Sequence, residues 1–258
     1  MKHLRVIWQT LVLQMKNGLA RPMFRFCLFV NPAANTILLY FMFRNSGRED
    51  FGTYVILGAG LMALWGCICF SSAGDINRER WYGTTPVIFV APAGFQLIIF
   101  GKILGNTILS LLTLAISFVS AKLLFGVGIT LKTPLYAVFA LIATVICFIV
   151  FSTLIAYLLT LSRKTQLYMN LLEIPIILVC GLAFPVETLP RWVLPLSYAL
   201  PPTWAVKLLR GGVNGELSAF WQTFGILAAV TAAYGVTAAL LYRLIDRQIR
   251  KSATLEVV

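Results

Sequence analysis

Charged residues are scarce in this chain, at 12% of its 258 residues, whereas 59% are hydrophobic. A soluble domain carries about 25% charged residues, so a water-soluble fold of this composition would expose too much apolar surface. A lipid bilayer is the alternative solvent, and its core needs roughly 20 apolar residues per spanning helix. The composition therefore predicts an all-α integral membrane protein rather than a soluble domain.

Catalytic and nucleotide-binding groups are also missing from the sequence. The only histidine is His3, near the chain start, so a Ser-His-Asp or Cys-His arrangement has no base. The P-loop pattern G-x-x-x-x-G-K-S/T does not occur, because Lys102 is followed by Ile103 and the required earlier glycine is absent. We expect no catalytic site, no metal and no cofactor in this chain. The five cysteines lie in apolar runs and are interpreted as small buried hydrophobes: Cys27, Cys67, Cys69, Cys147 and Cys180.

The net charge of +12 comes from lysines and arginines that flank apolar runs instead of forming one basic patch. This distribution indicates membrane orientation and contact with anionic lipid rather than nucleic-acid binding. Fourteen of the 21 Lys and Arg residues fall on the side of the N-terminus. Both termini are therefore predicted to be cytoplasmic.

Six apolar runs predict six transmembrane helices within a single domain covering residues 1–258. An amphipathic helix over residues 2–19, with apolar residues at helical spacing, is predicted to lie in the membrane interface, although it could instead begin a soluble subdomain. Five of the eleven prolines fall between Pro185 and Ala219, so short re-entrant helices are predicted there, before the last span. The predicted spans are 23–43, 52–72, 97–121, 134–160, 169–184 and 220–242.

Two charged residues lie within or beside the predicted spans. Glu173 sits four residues into span five, and an intramembrane acid is a functional candidate by default. Its expected depth near the cytoplasmic headgroups also suits a structural role, so both interpretations stay open. Lys102 opens span three, where Gly101 and Gly105 form a G-x-x-x-G frame that permits close helix packing.

The connector after span two, residues 73–94, carries four charges, Asp75, Arg78, Glu79 and Arg80. It predicts one or two turns of polar helix that end at Gly83. Such a helix at a cytoplasmic turn suits docking into a partner, and the alternative is an ordinary solvated loop.

Two motifs together resemble the ABC-2-type transporter permeases. The first motif is Glu79-Arg80-Trp81-Tyr82-Gly83-Thr84, followed by Ala91-Pro92 and Gly101-Lys102. The second is the proline-rich segment that runs from Gly181 through Pro190 and from Pro195 to Trp204. The order of the helices agrees with this resemblance along essentially the whole chain.

The resemblance implies the permease subunit of a bacterial ABC exporter in the cell membrane. It implies a second permease copy and two copies of a separate ABC ATPase, which would bind ATP and Mg. The cargo is expected to be hydrophobic or amphipathic, such as a drug, an antibiotic or a lipid-like molecule. A glycan exporter, a lipid-modifying membrane enzyme and a secondary transporter are the alternatives. By the same resemblance, Arg78, Glu79, Arg80, Gly83 and Thr84 would couple to the ATPase, and Phe184, Pro185, Leu189 and Pro190 would form an outer gate.

Overall fold

The architecture is helical throughout the residues that a computed structural model describes, which are 2–45, 47, 51–83, 95–129, 132–160, 165–215 and 217–252. No strand occurs within these ranges. The helices are α1 (Lys2–Ala20), α2 (Pro22–Phe43), α3 (Phe51–Trp81), α4 (Phe95–Ser110), α5 (Leu112–Phe125), α6 (Pro134–Thr160), α7 (Thr165–Val179), α8 (Leu194–Ala199), α9 (Pro201–Asn214) and α10 (Phe220–Ser252), with a 3-10 helix at Val186–Thr188.

Five stretches of helix are long and apolar enough to cross a membrane, which confirms the predicted class of all-α integral membrane protein. They are Pro22–Phe43, Phe51–Ile68, Leu97–Phe125, Pro134–Leu159 and Phe220–Leu244. The predicted fifth span corresponds to α7, which has 15 residues and is about 22 Å long. This length is shorter than a bilayer core of about 30 Å, so the count of six spans stays a prediction.

Several helix boundaries differ from the sequence prediction, and three of the differences matter most. Helix α3 does not end at residue 72 but continues through Trp81, so the polar turns after span two extend the same helix. The third predicted span is interrupted at Leu111, between α4 and α5. There the Ser110 hydroxyl donates to the Asn106 carbonyl at 2.7 Å, and hydroxyls of this kind compete with the backbone hydrogen bonds of a helix. Helix α7 ends at Val179 rather than 184, because Gly181 adopts a left-handed conformation and turns the chain.

The core is built around α3, whose apolar part is mostly buried between α2, α5, α6 and α7. Trp65 of α3 is fully buried, and its ring centroid lies 6.0 Å from that of Phe148 and 5.5 Å from that of Phe151, both on α6. Helix α3 thus packs against most of the other long helices. A movement of α3 would therefore be transmitted to them.

The G-x-x-x-G frame on α4 forms the seat for α1. A Cβ atom on Gly105 would lie 2.8 Å from the Leu11 carbonyl oxygen, and one on Gly101 would lie 3.0 Å from the Thr10 Cβ. The two glycines therefore allow the helices to approach closely, as the frame predicts. Beside them, the buried Gln14 Nε2 donates to Asn106 Oδ1 at 3.0 Å, which fixes α1 against α4.

The amphipathic face of α1 is divided between two environments. Leu11 is buried against α4, whereas Leu4 and Trp8 remain exposed. Exposed apolar groups on a helix with basic residues suit the lipid interface. The helix itself is confirmed over almost its predicted range, and its place in the interface stays a prediction.

The predicted re-entrant segment dips into the bundle along α6. Thr133 donates its hydroxyl to the Gly212 carbonyl at 2.7 Å, and Thr144 donates to the Ala205 carbonyl at 3.3 Å. The two threonines are separated by roughly 16 Å along a helical path, so α9 runs antiparallel to α6 and begins deep beside it. The short helices predicted for this proline-rich region are therefore present, and α9 is buried along much of its length.

Candidate functional site

The predicted coupling residues lie at the end of α3 opposite Phe51. Arg78 is half-buried, and its carbonyl accepts the Tyr82 backbone N–H at 2.8 Å in the last turn. Gly83 follows with φ of 64°, a left-handed conformation that ends the helix and that side chains with a Cβ rarely adopt. Glu79 and Arg80 belong to α3 by backbone, but their side chains, like the whole of Thr84, lie outside the described residues.

Positive charge is concentrated around this end of α3. Burial, followed by the nearby positive charge of Arg21, lowers the pKa of Arg78 to about 10. Burial also lowers the pKa of Arg21, and the neighbouring Tyr82 offsets part of that effect. Lys102 of α4 lies within electrostatic range of both arginines. Arg21 and Arg78 remain cationic at neutral pH. Together with Lys102 on α4, these residues of the α1–α2 turn and the end of α3 form one basic region.

The predicted outer-gate residues lie near the last turn of α2 and the first turns of α3. Phe184 packs against the buried cluster formed by Leu39, Phe43, Val55, Ala59 and Ala183. Pro185 is buried and precedes the 3-10 helix, whereas Leu189 is half-buried and Pro190 is exposed. The structure therefore brings Phe184 and Pro185 into the core and leaves Pro190 at the surface.

Arg210 is a polar residue of this region that sequence reasoning counted only as an external positive charge. Its side chain is 8% exposed, and its Nη2 donates to the Leu182 carbonyl at 2.9 Å. Its Cζ lies 4.3 Å from the centroid of the Tyr54 ring, which is a cation–π contact. Arg210 thus joins α9 to α3 and to the segment before the 3-10 helix. A charged residue inside the predicted re-entrant segment was the available signal for it.

A cavity of about 130 Å³ opens beside Arg210. Its walls combine cationic, hydroxyl and aromatic groups from α3, α9 and the gate segment. The lining residues include Tyr54, Pro185, Glu187, Tyr198, Lys207 and Arg210. The cavity therefore brings together side chains of α3, α8, α9 and the predicted gate segment around Arg210.

Glu173 lies on α7 and is close to residues of α2 and α3. Helix α7 begins at Thr165, so Glu173 is eight residues, or about 12 Å, from the start of the helix instead of four residues into it. Its backbone carbonyl accepts the Trp65 indole N–H at 3.4 Å. A charged side chain near mid-membrane costs about 2.5–3.5 kcal/mol on insertion scales, and both interpretations of Glu173, as a functional and as a structural acid, stay predictions.

The other predictions about chemistry concern cysteines and metals. Four cysteines are buried free thiols, as predicted: Cys27, Cys67, Cys147 and Cys180. The side chain of Cys69 lies outside the described residues. Among the side chains that the structure describes, no group of three or more His, Cys, Asp or Glu residues could hold a metal ion.

Comparison with known families agrees with this arrangement. The family model described as "ABC-2 type transporter" matches residues 5–214, which is most of the chain and includes both the Gly83 end of α3 and the predicted gate segment. No curated protein shows significant sequence similarity to the chain. Membrane domains of this family carry no ATPase site of their own and work with an ABC ATPase. The chain therefore belongs to the ABC-2 type transporter family and is a multi-pass membrane permease subunit of an ABC system.

Proposed function

We propose that this permease exports a hydrophobic or amphipathic cargo, such as a drug, an antibiotic or a lipid-like molecule, across a bacterial cell membrane. Two permease copies would enclose the path, and two ATPase copies would bind ATP and Mg on the cytoplasmic side, where both permease termini lie. The path would follow α3 and α7, the second and fifth predicted spans. The apolar character of these helices supports an apolar or amphipathic cargo.

The continuity of α3 is the observation that carries the proposal. Its 31 residues extend for about 46 Å, from the outer core to the charged turn that ends at Gly83. A single helix transmits an axial or tilting movement without a joint. A force applied at Arg78, Glu79, Arg80, Gly83 and Thr84 would therefore reach the core around Trp65 and the outer gate.

Coupling requires a contact that resists displacement when the ATPase moves. A carboxylate at Glu79 can accept charge-assisted hydrogen bonds from a partner, and the basic side chains beside it can bind acidic groups. Alternating access is then a population shift, in which the ATP-bound state favours one arrangement of the two permeases by a few kcal/mol. The outer gate of Phe184, Pro185, Leu189 and Pro190 would open in the arrangement that releases cargo.

Substitutions at the coupling turn test this proposal. We expect Glu79→Ala to remove a contact with the ATPase, and Gly83→Val to strain the left-handed turn and misdirect the end of the helix. Both variants should insert normally but lose ATP-dependent export and the stimulation of ATP hydrolysis by the permease. The measurements are cargo transport and ATPase activity in the reconstituted complex.

Matched controls exist on the opposite side of the bundle. Glu187→Ala removes an exposed carboxylate from the outer segment, and Gly47→Val introduces the same strain at a glycine with φ of 64° and no heavy atom within 4 Å. Both control variants should keep ATP-dependent export and the stimulation of ATP hydrolysis by the permease. If Glu79→Ala and Gly83→Val couple as well as these controls do, the turn is only a solvated connector and the proposal loses its mechanism.

A further inference from the structure

The Glu173 carboxylate has no role in the coupling turn or in the outer gate. Three helices bring it to one place: Glu173 on α7, Asn31 on α2 and Gly66 on α3. A Cβ atom on Gly66 would lie 2.9 Å from Glu173 Oε1 and 3.6 Å from Asn31 Nδ2. The glycine thus forms the floor of a small polar site, which we call the Gly66 recess, with a carboxylate and an amide at its sides.

The carboxyl group in the Gly66 recess has no partner among the described residues around it. Within the described part of the chain, the Glu173 carboxylate accepts no hydrogen bond and pairs with no Lys or Arg. Glu173 lies about 12 Å along α7, and Asn31 is the tenth of the 22 residues of α2. Both residues therefore lie near the middle of their helices. Intramembrane acids ordinarily pair with a cation or lie on a substrate path. A group that supplies positive charge is therefore the expected occupant.

Sequence neighbours of Asn31 and Glu173 include exposed apolar side chains. Val30, next to Asn31, is 48% exposed, and Ile174, next to Glu173, is 63% exposed, with Leu171 one turn earlier on α7 exposed to a similar extent. Glu173 itself is half-buried, and apolar side chains of α2 and α7 are exposed near it in sequence. A single negative charge within an apolar surface matches a molecule that has one cationic group and an apolar body.

We propose that the Gly66 recess binds the cationic group of an amphipathic cargo, with Glu173 as its counter-ion. Asn31 presents its Nδ2 to Gly66, so its amide would turn by 180° for Oδ1 to accept a second N–H from an ammonium or guanidinium group, while Val30, Leu171 and Ile174 would contact the apolar body. The inference rests on the proposed function, because it selects cationic amphiphiles from the wider class of apolar cargo.

A matched pair of fluorescent probes tests this selection. One probe is a dansyl group on a twelve-carbon chain that ends in an ammonium group, and the other ends in a hydroxyl group. Both are titrated against the full-length permease with its ATPase in lipid nanodiscs. We expect Glu173→Gln to weaken binding of the ammonium probe by about tenfold, which is the effect of losing one charge-assisted contact. Binding of the hydroxyl probe should weaken by less than about twofold. Glu173→Asp should retain much of the preference, and the outer control Glu187→Gln should retain all of it.

The outcomes separate a binding role from a structural one. If Glu173→Gln weakens binding of both probes equally, or of neither, the proposal is overturned. Only a counter-ion discriminates between an ammonium and a hydroxyl group. If Glu173→Gln does not fold, Gly66→Ala decides, since its Cβ would displace the carboxylate and should also reduce the preference for ammonium. A complex that still couples through Glu79 but does not discriminate the probes refutes only the cargo inference. Failure of the ATPase to associate refutes the exporter function and the cargo inference together.

Discussion

The contact between Arg210 and the outer segment provides the sharpest test of the fold. Arg210→Met keeps the length of the side chain but removes both the hydrogen bond to the buried Leu182 carbonyl and the cation–π contact with Tyr54. A hydrogen bond from a charged group contributes about 1.5–3 kcal/mol, and a desolvated cation–π contact contributes up to about 2 kcal/mol. Since the methionine regains some apolar burial, we expect a net loss of about 2–4 kcal/mol.

The assay is thermal unfolding of the purified permease in nanodiscs, followed by the loss of soluble, monodisperse protein. For a chain of this size, the expected loss lowers the apparent Tm by on the order of 5–10 °C. Arg210→Lys should fall between the wild type and Arg210→Met, because lysine keeps the charge but cannot reproduce the planar guanidinium. If the segment near Leu182 also gates the path, Arg210→Met should increase passive leak of cargo.

Lys207→Met is the matched control, because it removes a cation one turn away on the same helix. Lys207 is exposed, and its Nζ lies 5.9 Å from the Trp204 ring centroid. We expect this change to cost less than about 1 kcal/mol. Equal stability of Arg210→Met and Lys207→Met would refute the reasoning, because it would show that the buried guanidinium contributes no more than a surface charge.

Two further predictions concern helix packing and orientation. Gly105→Ala should destabilise the permease by about 1–3 kcal/mol, because the new Cβ would lie 2.8 Å from the Leu11 carbonyl oxygen. Gly225→Ala, which meets no heavy atom within 4 Å, should be neutral or stabilising in the same unfolding assay, and an equal response of the two variants would contradict the close packing. Cysteines at the exposed Asn45 and Ser218 should react with an impermeant maleimide from outside the cell, and a reporter after the last residue should be cytoplasmic. Labelling of either cysteine only from the cytoplasm would overturn the orientation.

The coarse fold followed from the sequence because membrane insertion depends on local composition. A run of about 20 apolar residues forms a helix in lipid whatever its neighbours are, since every backbone group must be hydrogen-bonded internally. Prolines at the first turn then mark helix starts, as at Pro22 and Pro134, and both predicted starts agree with the structure within one residue. The prolines between Pro185 and Ala219 likewise predicted interruption of the chain by short helices.

The details of the sites depended on contacts between residues far apart in sequence. Arg210 meets a carbonyl 28 residues away, and Glu173 meets Gly66 and Asn31 on two other helices. The interruption at Leu111 and the short α7 likewise leave no mark in hydropathy, because both depend on hydroxyl bonds and a glycine turn within apolar sequence. Hydropathy indicates whether a segment is surrounded by lipid or by water. The partner of a buried charge, in contrast, is determined by which helices pack together. Only the tertiary structure could therefore place Glu173 beside a glycine and Arg210 against the outer segment.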